Sequence, residues 1–237
     1  MKKEIIAISD THRLYDMKSL PSGDILILTG DVLLQGNKVE LEDFFEELNE
    51  ISNRWEDILL VPGNHDRIFE EMYEKEMDLD VFLHSLDITN YPSNLTVSVE
   101  GLIEIQGLKI WTWSWVPNLP RWAFSMMDEY LPIYMDKTFQ NLPSYVDIVV
   151  THGPPKGILD VVRGYGNAGS STMEKAFNFA YNIHIFGHIH EYGGETAIRD
   201  EDVKLVDDAE YRKYYNVAAV DEQYEAIPDR HITITIK

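Results

Sequence analysis

The sequence of 237 residues contains no cysteine, which excludes disulfides, thiolate metal ligands and cysteine nucleophiles. Cations are scarce: 20 Lys and Arg stand against 41 Asp and Glu, a formal charge of −21. A surface of that sign repels polyanions, so long nucleic acid and anionic membranes are poor partners. Long apolar runs are absent as well, and the longest, such as Ile5-Ile6-Ala7-Ile8 and Ile25-Leu26-Ile27-Leu28, have strand length. Met1-Lys2-Lys3-Glu4 carries the charge of a secretory leader, but the apolar run behind it is short and leads straight into Ser9-Asp10-Thr11-His12. A cytoplasmic protein without a membrane segment is the expectation. With no repeat and no low-complexity linker, and at about 150 residues per domain, the reading is one domain over 1–237.

What is present is core-forming material: 44% hydrophobic residues, 11% of all residues being aromatic, too much for a disordered chain. Strands are predicted at Lys3 to Ser9, Ile25 to Thr29, Ile58 to Val61, Leu95 to Val99, Ile103 to Ile105 and Lys109 to Trp113. Four more follow at Asp147 to Thr151, Ile183 to Gly187, Tyr215 to Val220 and His231 to Ile236. Several are continuous β-branched runs, the pattern of strands covered on both faces. Leu41, Phe44, Phe45, Leu48, Ile51 and Trp55 recur at helical spacing between acidic residues. A second helix is expected from near Asp66, and a third from Ser170 or Ser171 to about Tyr181, where Ser171 and Glu174 have capping-box spacing. Strands alternating with helices make the fold class α/β. Residues 112–142, rich in Trp, Met, Tyr and Pro, read as a structured insert, because Trp113, Trp115 and Trp122 would be costly to leave in water.

Five short clusters close predicted strands: Asp10-Thr11-His12, Gly30-Asp31, Gly63-Asn64-His65-Asp66, Thr151-His152-Gly153 and Gly187-His188-Ile189-His190. Strand ends are where α/β proteins place their sites, since a rigid sheet fixes the loops. A given four-residue string such as Gly-Asn-His-Asp arises by chance in a chain of this length only about once in a thousand. The clusters pool carboxylates, an amide and imidazoles, a donor mixture suited to Mn, Fe or Zn and not favoured by Ca. In extended chain Asp10 and His12 point the same way, and the carboxylate of Asp31 is suited to bridging two ions. His84, His184 and His231 read as structural, Asp66 and Asp160 as supporting or folding residues, and Trp111, Trp113 and Trp115 as core. The glycine-rich loop from Arg163 to Ser170 could present N–H groups to an anion, although an ordinary turn is the simpler reading.

This ordered set resembles the calcineurin-like metallophosphoesterases. Thr151-His152-Gly153-Pro154-Pro155, Gly157-Ile158-Leu159-Asp160, Ile185-Phe186-Gly187-His188-Ile189-His190-Glu191 and Trp122-Ala123-Phe124 resemble, more narrowly, the metallophosphoesterase-domain-containing subgroup. The stretch Thr112-Trp113-Ser114-Trp115 departs from that subgroup's Gly-Ser-Pro, so the pocket rim is expected to differ. The resemblance implies a four-layer sandwich of two packed mixed β-sheets flanked by helices, with two divalent transition-metal ions (Mn, Fe or Zn) at the strand ends. By the same resemblance, Asp10, His12, Asp31 and His190 would hold one ion, and Asp31, Asn64, His152 and His188 the other. Asn64 and His65 would contact the phosphate, with His65 protonating the leaving group. The implied reaction is hydrolysis of a small phosphodiester, cyclic nucleotides among them, or a phosphomonoester, by in-line attack of a hydroxide shared between the ions. Protein phosphatase activity and a non-catalytic metal-binding scaffold are the alternatives; a nuclease of long nucleic acid is disfavoured by charge. The oligomeric state is left open.

Overall fold

The computed structural model describes residues 2–199, 204–206 and 209–236. The first sheet sets β1 (Lys3–Ile8), β2 (Ile25–Leu28), β3 (Asp57–Leu60) and β4 (Leu95–Val97) in parallel, and β15 (Ile232–Ile236) lies antiparallel beside β1. The second runs in the order β13 (Thr196–Arg199), β14 (Arg212–Asn216), β12 (Ile183–Phe186), β9 (Ile148–Thr151), β6 (Leu108–Trp113), β5 (Glu100–Ile105). Its four central strands are parallel and its two edge strands antiparallel.

Side chains that alternate along each strand decide how these sheets pack. Ile5, Ala7, Ile25, Ile27, Leu59 and Val61 turn to one face of the first sheet and meet Ile110, Ile148, Val150 and Ile185 of the second. Their neighbours Ile6, Ile8, Leu26, Leu28, Ile58 and Leu60 turn the other way, onto three helices. These are α1 (Lys38–Ile51), α2 (Arg67–Glu74) and α3 (Leu79–Ser85). On the outer face of the second sheet, Trp111, Trp113 and Val149 pack against α4 (Leu131–Thr138) and α5 (Met173–Ala176). The result is the four-layer α/β sandwich expected of the resemblance. Among the described residues no helix is long and apolar enough to cross a membrane.

The insert at 112–142 is ordered by its aromatic residues. Trp113 is fully buried, Trp115 Nε1 donates to Glu100 at 2.8 Å, and Tyr73 and Tyr134 donate to the other oxygen of the same carboxylate. A short ribbon, β7 (Val116–Pro117) beside β8 (Ser125–Met126), brings Trp122 toward the strand ends. A second ribbon pairs β10 (Val161–Val162) with β11 (Gly166–Asn167).

Several boundaries differ from expectation. The third expected helix is a single turn, α5, with Thr172 at its N-cap, and Ser170 Oγ accepts from Met173 N at 3.0 Å. Ser171 donates instead to Asp128. Past that turn the chain extends, because Phe177, Phe179 and Tyr181 are buried at a spacing of two, with Phe177 and Phe179 packed against Trp111. The strand expected to end at Val220 stops at Asn216, and Val217–Val220 leaves the sheet to run beside Ser9. The helix of Leu41 ends at Ile51 in a 3₁₀ turn, short of Trp55. Helices α3 and α4 were not expected from the sequence.

Trp111 is 1% exposed and its indole N–H has no partner among the described residues. Trp111→Ala should therefore cost about 3–5 kcal/mol by opening a cavity. Trp111→Phe should cost far less, because it also removes a buried, unpaired donor. Urea denaturation midpoints of the two variants measure the difference.

Candidate metal centre

The C-terminal ends of β1, β2, β3, β9 and β12 meet at one rim, where the two sheets are tied by hydrogen bonds from Ser9 N to Val217 O and from Ala219 N to Ser9 O. Turns leave these ends sharply. Asp10, His12, Asp31 and His188 lie in the left-handed region at φ 51°, 44°, 50° and 68°. For residues with a Cβ such backbone costs about 1–3 kcal/mol each and persists only where its surroundings enforce it. Gly187 answers a different demand, since a Cβ there would collide with the Asp10 carboxylate and the Ser9 hydroxyl. That close approach lets His188 N donate to Asp10 Oδ2 at 2.8 Å.

Backbone carbonyls orient three of the imidazoles. His12 Nδ1 faces Leu33 O at 3.2 Å, His190 Nδ1 faces Asp221 O at 3.1 Å, and His152 Nδ1 faces Thr29 O at 2.8 Å. With Nδ1–H donating in each, the Nε2 atom presents a lone pair. The Nε2 atoms of His12 and His190 lie 3.4 Å apart, and Asp10 Oδ1 lies 3.3 Å from the second and 4.0 Å from the first. Asp10 is fully buried, and this oxygen accepts no hydrogen bond. Three electron-pair donors facing one another with no hydrogen between them make a seat for a cation.

A second group forms beside it. His152 Nε2 lies 3.0 Å from Asn64 Oδ1 and 3.3 Å from Asp31 Oδ2, and His188 packs edge-on to His152 at 4.9 Å. Asp31 belongs both to the group with His152 and His188 and to one with His12 and His65. The structure thus brings Asp10, His12, Asp31, Asn64, His65, His152, His188 and His190 to one rim, while His84, His184 and His231 take no part in these groups. His184 instead meets the Thr151 hydroxyl within the second sheet.

The electrostatics show how strongly these groups draw positive charge, a proton where no other cation is held. Burial would raise the Asp31 carboxyl, but His152 holds it down at about 2. Burial works against charge on His152, yet Asp31 and Asp10 raise it to about 9. Burial would also raise Asp10, but His190, His152 and His12 hold it well below the usual carboxylate range. His188 is pushed down to about 3 by burial and by the neighbouring His152. The donor set, oxygen and imidazole nitrogen around unsatisfied buried lone pairs, fits a divalent transition metal.

His65 is held by a backbone carbonyl as well, and by aromatic packing besides. Its Nδ1 donates to Leu34 O at 2.7 Å, the Trp122 ring packs on it at 4.2 Å between centroids, and the Arg67 guanidinium lies 4.9 Å from the Trp122 ring. A cavity of about 320 Å³ opens over Asp31, Asn64, His65, His188 and His190, walled by Trp122 and Tyr224. No position in the local sequence pattern assigns Trp122 or Tyr224 to this wall. Tyr224, near the end of the chain, sits 4.9 Å from His12 and 5.1 Å from His190 between ring centroids. Their approach is tertiary, and nothing in the local sequence signals it. In the loop from Arg163 to Ser170, Ala168, Gly169 and Ser170 spend their N–H groups on Asp160 and Pro154. The simpler reading of that loop is the one observed.

Asp66 holds two ligand loops together: Oδ1 accepts from Leu33 N at 2.9 Å and Oδ2 from Gly63 N at 2.8 Å. Burial and the nearby Asp31 push its carboxyl up to about 7. Asp66→Ala leaves two buried N–H groups without acceptors and should cost about 3 kcal/mol. It should also weaken metal retention, because Leu33 carries the carbonyl that orients His12. Denaturant titration and elemental analysis of the purified variant check both effects.

Comparison with known proteins places this geometry. A profile described as Calcineurin-like phosphoesterase matches residues 3–192. Metallophosphoesterase domain-containing protein 1 of Homo sapiens is 26% identical over 208 residues, which cover 81% of this chain and 62% of that protein. UPF0046 protein T07D4.2 of Caenorhabditis elegans is 29% identical over 214 residues, covering 81% of this chain and 52% of its own length. The chain thus spans only about half to two thirds of these relatives. A solved phosphopantetheinyl hydrolase from Mycobacterium tuberculosis superposes with a TM-score of 0.52 over 97% of this chain and 95% of that one. At 14% identity that likeness concerns the fold alone. With the profile spanning most of the sequence, the chain belongs to the calcineurin-like phosphoesterase family.

Proposed function

We propose that the protein is a hydrolase of small phosphodiesters or phosphomonoesters that works with two divalent metal ions. The observation that carries this reading is that Asp31 groups with His152 and His188 on one side and with His12 on the other, while His12 also groups with Asp10 and His190. Asp10, His12, Asp31 and His190 would hold one ion, and Asp31, Asn64, His152 and His188 the other. Mn, Fe or Zn suits this mixture of oxygen and nitrogen donors. Such ions supply positive charge to phosphoryl oxygens and lower the pKa of a coordinated water.

The chain's own residues do the rest. Asn64 lines the cavity beside His65 and orients a bound phosphate. With Nδ1 committed to Leu34 O, the imidazole of His65 has Nε2 left to carry a proton to the departing oxygen. Trp122 and Tyr224 fix that ring and narrow the space open to water. A cavity of about 320 Å³ suits a small ester, and a charge of −21 disfavours long nucleic acid, so the expected partner is a small phosphoester.

Two experiments test this. Protein stripped by chelation and refilled with Mn, Fe, Zn, Co or Mg is assayed against bis-p-nitrophenyl phosphate, a cyclic nucleotide, a phosphomonoester and a phosphopeptide. Asp31→Ala and His188→Ala should each lower turnover by at least about 100-fold and reduce metal content, with the circular dichroism spectrum retained. Full activity in both purified variants would overturn the reading. His65→Ala should lower kcat by about 10²–10⁴-fold on an alkyl ester, and much less on a p-nitrophenyl ester, whose anion leaves unaided. Equal losses on the two would remove His65 from the proton-transfer role.

A further inference from the structure

The cavity over the metal ligands continues past His188. A second cavity, of about 530 Å³, begins there, and Leu119, Val162 and His188 line both. Pro117, Leu119, Val162 and Ile189 make part of its wall apolar, and Lys156 and Tyr165 line it as well. The polar ends of these two are uncommitted among the described residues. Asp128 also faces the cavity, but Ser170, Ser171 and Thr172 donate to its two oxygens, and those bonds hold its carboxyl below the usual range although burial would raise it. The Asn167 amide nitrogen donates to Asp160. The Lys156 ammonium, by contrast, makes no ion pair or hydrogen bond among the described residues, and Tyr165 is 74% exposed with its hydroxyl free.

The first cavity has a different charge character from the second. Glu191 and Glu222 line it, and Arg163 is already engaged with both: its N–H donates to Glu191 at 3.0 Å, and its guanidinium lies 3.3 Å from Glu222. An organic group attached to a phosphate at the metal centre thus meets carboxylates in the first cavity, and a free ammonium and a phenol in the second.

Resting on the phosphoesterase reading above, we infer that the cavity at Lys156 is the subsite for the organic arm of the substrate. That arm has an apolar body and ends in an anionic group, a carboxylate or a second phosphate. The body lies along Leu119, Val162 and Ile189, and the anion pairs with Lys156 Nζ, with Tyr165 OH as a second donor. In a chain with so few cations, one unpaired lysine beside the reaction centre selects against substrates whose arms end in a neutral or cationic group.

The test is a matched pair of ligands that resist hydrolysis, hexylphosphonate and its analogue with a carboxylate in place of the terminal methyl. Binding of each to the manganese-saturated protein is measured by calorimetry. The wild type should bind the carboxylate analogue about fivefold more tightly, the range for an ion pair at a partly exposed site. The preference should vanish in Lys156→Ala and invert in Lys156→Glu. Equal binding of the two ligands by the wild type overturns the subsite while leaving the phosphoesterase reading intact. So does a parallel loss of affinity for both ligands in Lys156→Ala. Failure of the wild type to bind either ligand overturns the subsite, while the phosphoesterase reading is decided separately by the metal-dependent turnover assays above.

Discussion

Two carboxylates buried side by side among five imidazoles form the interaction on which the rest of the molecule depends. Asp10 is fully buried and Asp31 nearly so, and an ionised carboxylate without partners in such surroundings is among the most costly groups a protein can hold. Part of the cost is offset by the backbone: His188 N donates to Asp10 and His65 N to Asp31. The remaining valence is turned inward onto imidazole nitrogens, whose lone pairs repel it unless a proton or a cation stands between. Carbonyl groups of Thr29, Leu33 and Asp221 keep those rings from rotating away. Only a cation or a proton relieves this convergence, which is why the group reads as a metal centre and not as an ordinary polar cluster.

Holding it requires rigid supports close at hand. Parallel strands from both sheets end at one rim, and the apolar layer between the sheets fixes those ends relative to each other. The left-handed residues Asp10, His12, Asp31 and His188 would relax into easier backbone if the strands behind them could shift. Close-packed interiors do not shift readily, so the strain is stored at the rim and balanced by burial elsewhere. Asp66 shows the same logic one step out. Its carboxylate joins the loop after Asp31 to the loop bearing Asn64, and Glu40, accepting from Leu34, Gln35 and Gly36, fastens the first of these to α1.

The legible parts of the sequence were those governed by local rules. Runs such as Ile25-Leu26-Ile27-Leu28 read as doubly buried strands, and each face of that run meets a different apolar layer. The ligand clusters were legible because their residue types are unusual at strand ends. The segment from Ser171 to Tyr181 misled because two local signals competed. Ser171 and Glu174 have the spacing of a helix cap, while Phe177, Phe179 and Tyr181 alternate, and the aromatic contacts with Trp111 decided in favour of extended chain. Trp122 and Tyr224 were not assignable to the site in advance, since their place against His65 and His12 depends on contacts between distant parts of the chain. Nor does a sequence carry any trace of the carbonyl groups that orient the histidines, because every residue has one.

The overall charge then takes on a local meaning. At −21 the surface disfavours anions at long range, but in physiological salt that field decays within about 8 Å. In the proposed centre two carboxylates and two divalent ions leave a charge of about +2, so a small phosphate that comes close is attracted despite the acidic shell. Affinity for the phosphate itself would therefore be generic and would not separate one ester from another. Selection must come from groups near enough to escape screening yet outside the ligand set, and the rim supplies them unevenly. Glu191 and Glu222 line the first cavity with Arg163 engaged to both, and Lys156 stands uncommitted in the second. An asymmetric rim around a generic centre explains how a shared set of ligands can serve substrates that differ only in what is attached to the phosphate.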